Sequence, residues 1–334
     1  MKRNPIQSSM MAVAAACALL GAGGAQAALA NFQTWVGDYG VSTDGWGSTS
    51  QAGNISASVP LGATVVAAYL YTSTFGNAAL TGVGGTLGGN GVNYATNLGT
   101  IPPPACCTLT AARADVTGIV KPLIDGGPGG IYNFRITETS STQDGSALVV
   151  VYQLASLAAS TVAILDGFAR VEGDAAALNF ANPLDPNAPG FFAEMRLGIG
   201  FSINNQRSTV HVNGNLLTEN AGNNDDSADF AGGNGNLITV GGYDDPFSPN
   251  LPSYADDTER YNLVPFVSLG DTSIGIRTVN ASLNDNIFLA VFHLSGKADV
   301  CAPNCPVPEP MTPALVGLAL TGLALQRRLR KPKL

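Results

Sequence analysis

The stretch Ser146–Gln153, SALVVVYQ, decides how the rest of the chain is read. Its three consecutive valines are stiff β-branched residues that suit an extended, pleated backbone, and eight residues is the length of an ordinary strand. Successive strand residues point to opposite faces, and here both faces are apolar, so a central strand covered on both sides is expected. Ile131–Glu138 reads differently. Tyr132, Phe134 and Ile136 fall on one face and Asn133, Arg135 and Thr137 on the other, the pattern of a strand with one side buried.

Working outward, similar β-branched and aromatic runs recur between clusters of Gly, Asn, Asp and Pro. Strands are expected at Ala63–Thr72, Thr161–Leu165, Met195–Ile203, Thr209–Val212, Leu237–Val240, Leu263–Leu269, Ser273–Val279 and Ile287–Leu294. No long stretch shows apolar residues at helical spacing. Asn213-Gly214 between Val210-His211-Val212 and Asn215-Leu216-Leu217 is the strongest hairpin signal, and Asp144-Gly145 and Asp166-Gly167 read as turns of the same chemistry. Gly82–Gly91, GVGGTLGGNG, lacks the strand-to-helix setting that cradles a phosphate and reads as a loop. The fold class is all-β: one or two β-sandwich or jelly-roll-like domains over residues 28–155 and 156–300, with a soft boundary near Leu154–Ser160 across which the two regions are either separate or continuous.

The two ends carry a different message. Lys2 and Arg3 precede an apolar run from Met10 to Leu20, and Ala25 and Ala27 flank Gln26 as the small residues a signal peptidase needs, so residues 1–27 read as a signal peptide and the mature chain starts near Ala28. Cys17 leaves with it. At the other end a Cys/Pro stem, residues 301–311, is followed by an apolar segment, residues 312–326, and a basic tail, residues 327–334. Two prolines flanking Glu309 remove backbone donors and hold Pro308–Pro310 extended and accessible. The uncharged core of the apolar segment, Thr312–Leu325, spans only ~21 Å at ~1.5 Å per residue, short of a ~30 Å hydrocarbon layer. Arg327, Arg328, Arg330, Lys331 and Lys333 would stay on the cytoplasmic side, leaving the body outside.

With Val307-Pro308-Glu309-Pro310, the short Leu/Gly/Ala helix and the arginine-rich end in this order, the tail resembles the PEP-CTERM sorting signal of Gram-negative bacteria. The resemblance covers the last 28 residues. It implies transient membrane insertion, recognition by exosortase at Pro308, Glu309 and Pro310, orientation set by Arg327, Arg328 and Arg330, and delivery to the cell surface or the extracellular matrix of a biofilm. A second resemblance is carried by GATVVAAYLY at Gly62–Tyr71, ADVTGIV at Ala114–Val120, SALVVVYQ and TVAILDGF at Thr161–Phe168. These segments are similar to the β-rich N-terminal regions of secreted bacterial surface proteins, and imply a structural or adhesive module. No tandem repeats follow them here.

Export changes how the remaining residues are read. Cys106, Cys107, Cys301 and Cys305 are an even set in an oxidising compartment, so disulfides are expected in one of three connectivities; neither pair has zinc-type spacing and no histidine lies near. The signal carries two of the sixteen basic residues and the tail five, whereas only Glu309 of the twenty-four acids is lost with them, which leaves a body near −14. Such a surface repels nucleic acid. Asp225, Asp226, Asp229, Asp244, Asp245, Asp256 and Asp257 offer the hard oxygen ligands calcium takes, without a DxDxDG loop, and are equally what solvated turns favour. Paired carboxylates of this kind could also act on glycosides if their separation in space were right.

His211 and His293 sit in no catalytic motif, and no GxSxG elbow appears. Trp35, Tyr39 and Trp46 are either stacking residues for sugars or core. The expected function is a non-enzymatic, structural or adhesive secreted protein with no cofactor beyond calcium, exopolysaccharide being the natural partner. A calcium-dependent carbohydrate-binding protein and a glycoside-acting hydrolase are the alternatives.

Overall fold

Both faces of SALVVVYQ are used. The computed structural model describes residues 28–47, 50–101, 108–169, 172–202, 208–222, 235–248, 258–280 and 286–302. Its strands are β1 Ala30–Gly37, β2 Tyr39–Gly47, β3 Ala52–Val59, β4 Thr64–Phe75, β5 Gly84–Leu87, β6 Asn90–Asn93, β7 Thr96–Ile101, β8 Leu109–Asp115, β9 Gly130–Glu138 and β10 Gln143–Gln153 in the first half. In the second half they are β11 Ser160–Asp166, β12 Ala175–Phe180, β13 Ala193–Ser202, β14 Ser208–Val212, β15 Asn215–Ala221, β16 Gly235–Val240, β17 Arg260–Asn262, β18 Ser273–Val279, β19 Asn286–Ser295 and β20 Ala298–Cys301. Helix α1, Thr117–Ile124, lies after β8.

The strands form four sheets, ordered β3-β9-β5-β6, β2-β10-β4-β8-β7, β1-β11-β19-β13-β16 with β17 also on β13, and β15-β14-β18-β12-β20. Every pairing among the described residues is antiparallel. Three cores separate the four sheets, so they stack as layers. The first core holds Ile55, Phe134 and Ile136 against Leu70, Leu148 and Val150. The middle core holds Tyr71, Val149 and Val151 against Val162, Ile164 and Phe288. The last holds Leu165, Leu197 and Phe292 against Leu178, Val210 and Ile276. The two inner sheets are therefore covered on both faces. In β10, Leu148 and Val150 serve one core while Ala147, Val149 and Val151 serve the next; in β11, Val162 and Ile164 alternate in the same way with Ala163 and Leu165.

The turn after Gln153 carries the chain from the first inner sheet to the second, inside the stretch read as a boundary. Among the strands, the partition by sequence halves is crossed by β1, which pairs with β11 and so belongs to the second inner sheet. The Asn213-Gly214 hairpin is present: Val212 faces Asn215, and both turn residues have positive φ, 49° and 78°, as a two-residue primed turn requires.

Four readings need correction. Gly82–Gly91 is no loop but holds the β5–β6 hairpin turning at Gly88-Gly89, an edge that needs little side chain because it packs through Val83, Leu87 and Val92. Asp144-Gly145 is no turn; it lies buried inside β10, where the register against β4 slips between Gln143 and Ser146. Leu263–Leu269 contains a 3₁₀ turn at Val264–Phe266 in place of a strand, since Pro265 has no amide to give a ladder. And α1 was not expected: only Val120 and Ile124 of it are buried, one helical turn apart, too few to show as a periodic pattern.

A close approach fixes another position. A Cβ on Gly53 would come within 2.0 Å of the Trp46 indole, so that ring, buried in the first core, can lie flat on β3 only because residue 53 is glycine. Phe288 is fully buried between the inner sheets, 6.0 Å from the ring of Tyr71. Truncating it empties space shared by both halves, so Phe288→Ala should lose about 3–5 kcal/mol in urea denaturation. The loss should appear as one shifted transition; a second, unshifted transition from residues 28–155 would show the halves to be independent.

Candidate functional site

The inner sheets meet in an apolar core, and its two ends are closed by charge. At one end Arg113 of β8 forms an ion pair with Asp166 of β11, while the Tyr71 hydroxyl donates to the same carboxylate oxygen at 3.1 Å. The Arg113 guanidinium also lies 3.4 Å over the Phe32 ring, a cation–π contact, and the Tyr69 hydroxyl donates to Gln33 Oε1 at 2.6 Å. Burial raises the Asp166 carboxyl above its usual range, with Arg113 opposing. Each of these contacts joins the first inner sheet to the second.

The other end is richer. Arg196, in β13 between Met195 and Leu197, donates through Nη1 to the main-chain oxygen of Val41 in β2 at 3.1 Å and through Nη2 to Glu194 at 2.7 Å. Glu194 also faces Arg260, whose Nη1 donates to the carbonyls of Asp245 at 2.6 Å and Tyr243 at 3.3 Å. That pulls the segment after β16 alongside β2. Thr43 Oγ1 donates to Gly241 O at 2.6 Å, and Tyr243 N to Thr43 O at 2.8 Å, so residues 241–243 continue the edge of the first inner sheet. His293 stacks edge-on against Phe192 at 4.7 Å. Burial, with Arg196 adding to it, pushes the imidazole down to about 4, so it is neutral at physiological pH.

Against this segment stands Asp44 of β2. One of its carboxylate oxygens accepts from Ser56 N and the other from Gly45 N, and nearby Ser42 Oγ accepts from Ser58 N at 2.9 Å. Together Asp44 and Ser42 satisfy free amides on β3, an edge strand, and thereby tie the first outer sheet to the first inner one. Burial pushes the Asp44 carboxyl up to about 7, with the charges of Asp244 and Asp245 adding to the shift and the Ser56 and Gly45 amides opposing it. Asp245, whose Oδ2 accepts from Gly242 N at 2.6 Å, is likewise raised by burial to about 6.

The structure thus brings Asp244 and Asp245 to Asp44, a residue the sequence did not single out. Facing carboxylates are donors of the kind a hard cation takes. Among the described residues, however, no group of three or more His, Cys, Asp or Glu is spaced to hold a metal ion. Asp225, Asp226, Asp229, Asp256 and Asp257 lie outside the described residues, as do Ala25, Ala27, Cys106, Cys107, Cys305, the apolar segment 312–326, Pro308, Glu309, Pro310, Arg327, Arg328 and Arg330. Cys301, at the end of β20, is disulfide-bonded to a cysteine beyond them. Trp46 is core, while Trp35 and Tyr39 pack against the middle core. An apolar hollow of about 20 Å³ between Leu29, Leu165, Met195, Leu197 and Phe292 has room for about one water.

Sequence reasoning missed Asp44, Glu194, Arg196 and Arg260 because the contacts that bring them together, Arg196 to Val41 O and Arg260 to Glu194, join positions far apart in the chain. One signal was available: Glu194 and Arg196 interrupt the apolar residues Ala193, Met195 and Leu197, and charges in a buried strand need partners. No family model, curated protein or solved structure matches this chain.

The charges set a pH dependence. Asp44 has its folded-state value raised from 3.8 to about 7 and so binds a proton in the folded state that the unfolded chain has released. Stability that depends on this proton is present below the unfolded value and is lost as pH rises through the folded one. His293 acts oppositely, but only between about 4 and 6.5. Between pH 6.5 and pH 8 the Tm should therefore fall, as Asp44 and then Glu138, raised by burial to about 8, are forced to ionise. Asp44→Asn keeps the acceptor for Ser56 N and should flatten this fall; an unchanged slope in thermal melts would contradict the assignment.

Proposed function

We propose that this chain is an exported, exosortase-sorted protein of the cell surface or exopolysaccharide matrix, with a structural or adhesive, non-enzymatic role. The observation that carries the reading is the order of Val307–Leu334: a rigid Pro-Glu-Pro, an apolar segment too short for an ordinary span, and a cluster of arginines. Signal-like residues at the start of the chain and the disulfide at Cys301 are consistent with an oxidising destination.

The architecture of the body supports a passive role. Space between its four layers is filled by side chains. The polar groups of its charged seam are directed to main-chain atoms and to each other: Arg196 to Val41 O, Arg260 to Tyr243 O and Asp245 O, Asp44 to Ser56 N. His293 is held neutral beside Phe192. These are groups that join layers.

Intact mass and fractionation of the native protein in its own host test the reading. The expected species begins near Ala28, ends near Pro308–Pro310 and is found outside the cell. Glu309→Ala, or loss of Arg327, Arg328 and Arg330, should leave a precursor with its full C-terminus in the inner membrane. A native protein that itself keeps that C-terminus in the inner membrane would overturn the proposal and make the tail a plain anchor.

A further inference from the structure

The chain contains two aspartyl-proline bonds, Asp185-Pro186 and Asp245-Pro246. Such a bond is chemically the weakest kind in a backbone. The aspartate carboxylate reaches its own main-chain carbonyl carbon through a five-membered ring, and the proline nitrogen, part of a tertiary amide, is a good leaving group once it takes a proton. The fold treats the two bonds differently. Asp185 is exposed, its carbonyl accepts from a neutral main-chain amide, Ala188 N at 3.1 Å, and its Oδ1 accepts from Asn187 N at 2.9 Å.

At the second bond the carbonyl oxygen of Asp245 accepts from the Arg260 guanidinium at 2.6 Å. That guanidinium is itself pinned, by Glu194 at 3.4 Å and by the Phe247 ring at 4.8 Å. A fixed charged donor thus lies where negative charge develops when the carbonyl is attacked. The attacking group is oriented as well. Oδ2 of Asp245 accepts from Gly242 N at 2.6 Å, which leaves Oδ1 for the carbonyl carbon. A Cβ on residue 242 would meet Asp244 Oδ1 at 2.9 Å and Asp245 Oδ2 at 3.1 Å, so glycine is what lets the carboxylates close over this amide. Pro246, on the far side of the bond, is exposed, and its own carbonyl is held by Thr258 Oγ1 at 2.9 Å. Joining layers accounts for a guanidinium on some carbonyl of this segment. It does not account for that carbonyl belonging to an aspartate with a positioned carboxylate and an exposed proline after it.

We propose that Asp245-Pro246 is a self-cleaving bond, cut by the Asp245 side chain with Arg260 stabilising the oxyanion. The nucleophile is the ionised carboxylate, so no base is needed. Oδ1 bonds to the Asp245 main-chain carbon, and the carbonyl electron pair moves onto the oxygen held by Arg260. Its return breaks the C–N bond to Pro246, whose nitrogen takes a proton from solvent. A cyclic succinic anhydride remains on residue 245, and one water opens it to the two carboxyl groups of a new C-terminal aspartate. The net reaction is hydrolysis of one peptide bond by one water, with no oxidation or reduction. Both new ends stay in place: Tyr243 N remains on Thr43 O at 2.8 Å, and Ser248 N on Arg260 O at 3.0 Å. The piece after the cut also contains β19, which lies between β11 and β13. The nick therefore leaves the stack assembled and shows when the chain is denatured.

The test keeps the full chain folded near neutral pH and follows it over time on reducing, denaturing gels. Two pieces are expected, one ending at Asp245 and one beginning Pro-Phe-Ser, with Asp185-Pro186 intact in the same molecules. In denaturing urea the two bonds should break at one common rate, about a hundredfold below that of the folded 245–246 bond, the usual effect of losing an oxyanion donor. Arg260→Gln should slow the folded chain by a similar factor. Because Arg260 also serves the seam, Asp245→Asn gives a second reading: it keeps an acceptor for Gly242 N, and it should show native near-ultraviolet circular dichroism yet stay whole. A contaminating protease would cut that variant too. A folded chain that stays uncut, breakage at both bonds alike, the same rate at 245–246 in urea, or undiminished cutting of Asp245→Asn would each overturn the proposal.

Discussion

Two sheets buried on both faces are the constraint on which this molecule depends. A sheet at the surface needs an apolar residue at every second position, but an inner sheet of a four-layer stack needs one at nearly every position. Few segments of a chain so rich in Gly, Asn, Ser and Thr satisfy that demand: β4, β10, β11 and β19 do, with runs such as VVAAYLY, ALVVV, TVAIL and IFLAVF. They lie side by side as β10-β4 and β11-β19. The outer sheets then need only supply one apolar face each, as Ile55, Ala57 and Val59 do in β3 and Val210 and Val212 do in β14.

Layering also dictates where charge goes. An ionised group trapped between inner sheets would be costly without a partner, because attraction inside a low-dielectric interior repays desolvation only when geometry and hydrogen bonds are complete. Arg113, Asp166, Glu194 and Arg196 of the inner strands accordingly collect at the ends of the middle core. Arg113 there meets Asp166 and Tyr71; Arg196 meets Glu194 and the Val41 carbonyl. Such pairs add little net stability over apolar replacements, yet they fix register, since sliding either inner sheet by one residue would strand a guanidinium. The apolar core supplies the energy and the charges choose the alignment.

This division explains what the sequence made legible. Periodicity reports how many faces a strand buries, so the doubly covered β10 and the one-sided β9 could be read directly, and Asn213-Gly214 could be read because a primed turn has its own local chemistry. Strands β1, β2 and β8 were hidden: ANFQTWVG is half-buried or exposed throughout, YGVSTDGWG buries the polar Ser42 and Thr43 in place of apolar residues, and LTAARAD packs mostly through alanine. Buried polar sites were less legible still. Thr43 and Gly241 are 198 residues apart, Gln143 and Thr72 71 apart, and nothing in either neighbourhood names the other. The tail proposed to direct sorting stands at the opposite extreme, because the reading of its three pieces rests on local chemistry alone.

The two ends of the described body meet at one corner. Asn31 of β1 donates through its main chain to Ala302 O at 3.4 Å and through its side chain to Val300 O at 3.3 Å, so the first strand of the described body lies beside β20, its last. Leu29 N reaches Asp174 in the same region, which fastens the first residues of the body to the second outer sheet. If the proposed export holds, a protein tethered through its C-terminal stem would be held beside the residues that begin the described body. The free edges β6 and β7 and the outer face of the first sheet belong to the other half of the stack. On the proposed reading, a body attached at that corner would turn the free edges β6 and β7 away from its point of attachment.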